Sequence, residues 1–210
     1  MTKNSLVSCF PSEYKPTSLQ QRVLSQIETF LNSKEKFLIF SAPTGTGKSF
    51  ICKALCNATN RPSKKYVNRV NSYDIFRKTF KGEMVHKEFL NSMSPFGGII
   101  LTITKSLQDQ YAEFFPDTPV YKGKANYMCD IDPNFDVETA PCVLASKLRE
   151  KCWSDNICPY FENRNTALSS QTAVVNYRKF FAMNPDLRKR ELLVCDEASQ
   201  LEDELVSTFL

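Results

Sequence analysis

Eight consecutive residues, Ala42-Pro-Thr-Gly-Thr-Gly-Lys-Ser49, constrain this chain more than any other stretch. Gly45 and Gly47 let the backbone curl so that its N–H groups face one point, because neither carries a Cβ that would block the curl. The apolar run Phe37–Phe40 before them reads as a short buried strand. The residues from Lys48 to Asn57 read as a helix whose N-terminus adds the positive end of its dipole. Strand, glycine-rich loop and helix in this order make a phosphate-binding loop. Thr44, Gly45, Thr46 and Gly47 then supply the cradle, Lys48 reaches the β- and γ-phosphates, and the Ser49 hydroxyl completes Mg2+ coordination. Ala42 stands where the simplest form of the loop has its first glycine.

The natural partner of such a loop is an apolar strand that ends in acids. Leu192-Leu-Val-Cys195 followed by Asp196 and Glu197 has that form. Asp196 is predicted to hold Mg2+, directly or through water, and Glu197 to orient and deprotonate an attacking water. Lys48 and Glu197 are the catalytic candidates, and hydrolysis of the terminal phosphate of ATP is the predicted reaction.

The rest of the chain alternates in the same way. Apolar residues at 19, 23, 24, 27, 30 and 31 repeat with helical period. Gly98–Thr104 reads as a strand and Lys105–Phe115 as the helix after it, then Ala173–Asn176 and Tyr177–Met183 as a second such pair. Strands alternating with helices predict an α/β fold, a parallel sheet between helix layers. Arg61–Pro95 reads as a basic insert with one helix over Tyr73–Lys81. Between Arg61 and Glu88 it carries eight Lys and Arg against three acids, a pattern that suits a solvated surface or a phosphate-facing one equally.

Length and composition set the frame. A chain of 210 residues suits one domain or one domain with an insert. With 42% hydrophobic and 24% charged residues, a mainly disordered chain is excluded. No apolar run approaches the ~18 residues that cross a bilayer, and no apolar leader follows Met1, so an intracellular protein without a membrane partner is expected. The net charge of +4 is compatible with nucleic acid without arguing for it.

Eight cysteines without a secretory leader point away from disulfides. Cys9, Cys52, Cys56 and Cys195 read as small buried hydrophobes. Cys129, Cys142, Cys152 and Cys158 are separated by 12, 9 and 5 residues, without the tight Cys-x₂₋₄-Cys knuckle of structural zinc sites. His86 is too isolated to join them. Spacing alone leaves an iron–sulfur cluster, zinc and no metal all open.

Taken in order, these motifs resemble those of the iron–sulfur superfamily 2 helicases of the XPD and DinG type. Ala42–Ser49 is similar to the family's first motif, and Leu101-Thr-Ile-Thr-Lys-Ser-Leu-Gln-Asp-Gln110 to the next, which lies along single-stranded DNA. Tyr121-Lys-Gly-Lys-Ala-Asn-Tyr-Met-Cys129 resembles the segment leading to the first cluster cysteine, and Cys158-Pro-Tyr-Phe161 the segment around the last. Ala173-Val-Val-Asn-Tyr177 and Asp196-Glu-Ala198 follow in the expected order. Gln20 or Gln21 matches the upstream glutamine that reads adenine, and Gln20 is the candidate for the site.

The resemblance implies a RecA-like phosphate-loop domain interrupted by a small four-cysteine iron–sulfur insert. It divides the chain into residues 1–120, the first part of the ATP-binding motor domain, 121–165, the insert, and 166–210, the continuation of the motor. It implies ATP, Mg2+ and a [4Fe–4S] cluster as cofactors, with Cys129, Cys142, Cys152 and Cys158 as cluster ligands. It also implies ATP-driven movement on single-stranded DNA from 5′ to 3′, with a second motor domain in cis or in trans. Lys122, Lys124, Lys147, Arg149 and Lys151 are candidates for phosphates or for ordinary wet surface. Trp153 and Tyr160 are candidates for stacking on bases or for shielding the cluster.

Two departures qualify the resemblance. Ser199 stands where the family has a His that couples nucleotide to DNA, and the sequence stops at Leu210. From these we expect a fragment or half of a split protein that binds nucleotide better than it hydrolyses it, with an apolar edge at Leu192–Cys195 that promotes aggregation or a partner. The competing readings are an ATP- and DNA-binding module without productive turnover, and a non-helicase phosphate-loop ATPase with a zinc insert.

Overall fold

The computed structural model describes residues 5–64, 67, 95–155, 157–183 and 188–209. The expected helix at 73–81 and His86 lie outside them. Helix α1 spans Ser18–Leu31 and starts at a capping box. The Gln20 N–H donates to the Thr17 hydroxyl at 3.2 Å, and the Thr17 N–H donates to Gln20 Oε1 at 2.9 Å. Leu24 and Ile27 on its inner face pack against Ile51 and Ala54 of α2 (Lys48–Asn57), with Leu6 and Phe10 closing the cluster.

The remaining elements follow as β1 (Gly98–Thr102), α3 (Lys105–Phe114), β2 (Val120–Tyr121), α4 (Ser146–Ser154), α5 (Pro159–Ser169), β3 (Thr172–Asn176), α6 (Tyr177–Ala182), β4 (Leu192–Cys195) and α7 (Leu201–Phe209). The strands form one parallel sheet in the order β2-β3-β1-β4. Successive side chains of a strand point to opposite faces, and both faces here are covered by helices. Ile100, Val120 and Val174 pack with Cys52 and Cys56 of α2 and with Tyr111 and Phe115 at α3. Ile99, Leu101, Ala173 and Val175 face Tyr160 and Leu168 of α5 and Tyr177 and Phe180 of α6. The α/β architecture with a parallel sheet between helix layers is therefore as the alternation predicts.

One expected element is absent. Phe37–Phe40 forms no strand, and Phe37 and Ile39 are 89% and 95% exposed. Four apolar residues satisfy a strand pattern, but a parallel strand is held by a neighbour's ladder, and no described strand pairs with the outer side of β4. The cysteines divide as well. Cys52 and Cys56 are buried as expected, whereas Cys9 and Cys195 are only half-buried. The acidic segment after Glu197 contributes α7, which is tied to α6 by an Arg178–Glu204 ion pair at 3.1 Å. Among the described residues, no helix is long and apolar enough to cross a membrane.

Burial on both sheet faces makes β1 the most sensitive strand. Ile100→Ala is expected to lower stability by about 2–5 kcal/mol, because the fully buried side chain leaves a cavity. Leu144→Ala, at a side chain 96% exposed, is expected to change stability by no more than about 0.5 kcal/mol. Urea denaturation of both variants checks the contrast.

Candidate functional site

The phosphate loop takes the turn its glycines permit. Gly45 and Gly47 have φ of 79° and 77°, and a Cβ on Gly47 would lie 2.3 Å from Gln20 Nε2. Gln20 is buried in α1 and donates from that amide to the Thr46 carbonyl at 3.2 Å, so it braces the loop. Gln21 is exposed and bonds the Pro16 carbonyl instead. Thr46 donates to the Pro43 carbonyl at 2.8 Å, and Thr44 is exposed on the turn. Lys48 Nζ donates to the carbonyls of Ala42 and Pro43 at 2.8 and 3.2 Å.

Asp196 emerges from β4 buried, with its N–H donating to the Leu101 carbonyl at 2.9 Å. Its Oδ2 accepts from the Tyr111 hydroxyl at 2.9 Å, and its Oδ1 accepts from the Glu197 N–H at 3.1 Å. Tyr177 donates to the Asp196 carbonyl at 3.1 Å. Burial, then the neighbouring Cys52 and Asp196, push the Tyr111 hydroxyl well above the usual tyrosine range, and a nearby Ser49 pulls it the other way. Burial also pushes the Cys52 thiol up to about 12, with Asp196 adding to the rise. Asp196, the carboxylate expected to hold Mg2+ with the Ser49 hydroxyl, is thus held by a phenol from α3. A hard-oxygen pair of this kind suits that ion.

Glu197 is exposed and has φ of 54°, the one left-handed non-glycine among the described residues. Neither this strain nor the roles of Tyr111 and Tyr177 are read from the sequence. The available signal is that a buried tyrosine hydroxyl needs a hydrogen-bond partner.

The other four candidate cysteines also converge. Cys129, Cys142, Cys152 and Cys158 line one small pocket, together with Val137 and Ile157. Burial, then the proximity of Cys142, Cys158 and Cys129, push the Cys152 thiol up to about 11, and burial raises Cys158. Among the described residues, no three His, Cys, Asp or Glu side chains are placed to hold a single metal ion.

The flanking basic and aromatic residues have partners. Lys122 is ion-paired with Asp109, Lys124 lies 5.9 Å from the Tyr160 ring centre, and Arg149 lies 5.8 Å from that of Trp153. Lys147 and Lys151 are exposed. Tyr160 is buried, shares a 2.7 Å hydrogen bond with the Tyr121 hydroxyl and accepts one of 2.7 Å from Lys179, so its ring shields the interior and offers no open face for a base. Trp153 is half-buried, edge-on to Phe161 at 4.4 Å.

A phosphate-type loop opening one helix, an acidic pair closing a parallel strand and helices on both sheet faces define a nucleotide-binding α/β fold, consistent with a RecA-like helicase domain. The particular family is the res subunit of type III restriction enzymes: it matches residues 13–204, and the chain belongs to it. The chain is also similar to the ATP-dependent DNA helicase CHL1 of Kluyveromyces lactis, at 30% identity over 102 residues. That match covers 48% of this chain and 12% of the yeast protein. No solved structure matches the chain.

The backbone at Glu197 gives a direct test of the acidic turn. Glu197→Gly is expected to keep the melting temperature at or slightly above that of the parent, because glycine adopts this conformation freely. Glu197→Val is expected to lose about 1–2 kcal/mol, since a β-branched residue is strained there. Thermal denaturation followed by circular dichroism separates the two.

Proposed function

We propose that the chain binds ATP and Mg2+ as the nucleotide-binding part of the first motor domain of an ATP-dependent DNA helicase. The observation that carries this reading is the pairing of a left-handed glycine loop at the start of α2 with the buried Asp196 at the end of β4, the two motifs such a site requires. Mg2+, when bound, supplies charge neutralisation at the β- and γ-phosphates.

The chain's own residues do the rest. Backbone N–H groups from Thr44 to Ser49 bind phosphate oxygens, with the α2 dipole behind them. Lys48 exchanges the carbonyls of Ala42 and Pro43 for the terminal phosphates. Glu197 orients water and accepts its proton at the carboxylate. Gln20 is the candidate that reads adenine, and its contact with Thr46 supports it over Gln21.

The proposal extends to the insert at 121–165. Cys129, Cys142, Cys152 and Cys158 would hold a [4Fe–4S] cluster, and four thiols around one cavity support that donor set. The exposed face of α3 and the exposed Lys147 and Lys151 are offered to single-stranded DNA, in keeping with the similarity to a yeast DNA helicase. Movement from 5′ to 3′ and a second motor domain belong to the same reading.

Lys48→Ala is expected to weaken binding of a fluorescent ATP analogue by at least about tenfold while leaving the fold intact. Protein purified without oxygen is expected to be brown with about four irons per chain, and Cys152→Ser to lose both. A colourless protein with stoichiometric zinc refutes the cluster but leaves the nucleotide site standing. ATPase rates that ignore added single-stranded DNA refute the motor assignment.

A further inference from the structure

Tyr111 has no role in the mechanism above, yet it lies at its centre. It is fully buried on the inner face of α3, where its ring lies 5.9 Å from that of Phe115 in the cluster beneath the sheet. Its hydroxyl donates to Asp196 Oδ2 at 2.9 Å. The second carboxylate oxygen is held by the Glu197 N–H. Both oxygens of Asp196 are therefore fixed, one by backbone that follows β4 and one by a side chain from a different element.

That element has two faces with different surroundings. Gln108, Tyr111 and Phe115 point inward, whereas Lys105, Ser106, Asp109 and Gln110 are exposed. A helix is stiff over ten residues, so a shift imposed on the outer face of α3 moves the Tyr111 hydroxyl with it. The hydroxyl has no slack, because it bonds a buried carboxylate across elements 85 positions apart.

We infer that Tyr111 is a positioning residue that sets the orientation of the Asp196 carboxylate for Mg2+ and makes that orientation depend on the position of α3. The inference rests on the reading of Ser49 and Asp196 as the Mg2+ pair, and deepens it by naming what aligns the carboxylate. Occupancy of the exposed α3 face by single-stranded DNA then tunes the Mg2+ requirement of nucleotide binding through one hydrogen bond.

The test uses the full chain, a fluorescent ATP analogue and a Mg2+ titration, with and without a single-stranded oligonucleotide. Tyr111→Phe is expected to raise the Mg2+ concentration for half-maximal binding about three- to tenfold, the range for loss of one hydrogen bond to a charged group. Binding of the analogue in EDTA is expected to stay at the parent's level. The oligonucleotide is expected to shift the parent's Mg2+ midpoint and to leave that of Tyr111→Phe unmoved. Tyr121→Phe deletes an equally buried, hydrogen-bonded hydroxyl on the opposite sheet face, and is expected to keep the parent's midpoint.

Should Tyr111→Phe not fold, hydrogen exchange on the parent protein reads the same coupling. Amides of 105–114 are expected to exchange several-fold more slowly with Mg2+ and analogue than with analogue alone. Superimposed titrations of parent and Tyr111→Phe, or unchanged exchange over 105–114, overturn the inference and leave the proposed function intact. A parent protein whose nucleotide binding ignores Mg2+ overturns both.

Discussion

The ladder between β1 and β4 fixes the candidate site. Its register pairs Leu101 with Cys195, and the Asp196 N–H adds a 2.9 Å bond to the Leu101 carbonyl. Parallel pairing sends both chains out at the same sheet edge. There β1 passes through Thr104, the N-cap of α3, whose hydroxyl accepts from the Leu107 N–H at 3.2 Å. Asp196 and α3 have no freedom to part while the sheet holds, and the sheet holds because β1 is buried on both faces. The chemistry proposed for Asp196 is a consequence of strand register before it is a property of a carboxylate.

The cysteine cavity is tied to the same sheet by another route. Cys158 is the N-cap of α5, and Pro159 opens that helix where a missing N–H costs nothing. Two residues on, Tyr160 bonds Tyr121 of β2 and accepts from Lys179 of α6. Lys179 lies 4.8 and 5.0 Å from the ring centres of Tyr121 and Tyr160, so its charge is met by two π-faces as well as a hydroxyl. Strand β2 has only two residues, yet this polar and aromatic knot gives it partners beyond its ladder. The segment that carries these cysteines thus reaches the sheet on the face opposite the one that packs on α2 and α3.

What could be read in advance follows from how local each cause is. The bounds of α2 match the expectation because a glycine in the left-handed region stops the chain at Gly47 and a helical pattern begins directly after it. Strands β1, β3 and β4 are legible as apolar runs that begin after polar or turn residues, to within two residues at each end. Phe37–Phe40 has the same local pattern, and the difference lies in the neighbour strand it lacks. Helices α4 and α5 escape periodicity because their side chains serve a small cavity and several hydrogen bonds and do not form one apolar stripe. Tyr111 escapes because its partner is distant in sequence, and no pattern over a dozen residues contains that information. The two candidate constellations were legible as lists of residues. That a tyrosine of α3 holds the Asp196 carboxylate was not.

The electrostatics of Asp196 give this contact its significance. A buried carboxylate needs compensation, and hydrogen bonds from neutral donors satisfy its lone pairs without cancelling its charge. Here the donors to its side chain are a tyrosine hydroxyl and a backbone N–H, both neutral. Lys48, the only cation of the loop, gives its protons to the carbonyls of Ala42 and Pro43. The carboxylate is therefore oriented by neutral donors alone, and the Mg2+ proposed for this site would supply the positive charge they lack. The same neutral donors allow it to stay buried until that charge arrives, and the one from α3 links the arrival to whatever holds the outer face of that helix.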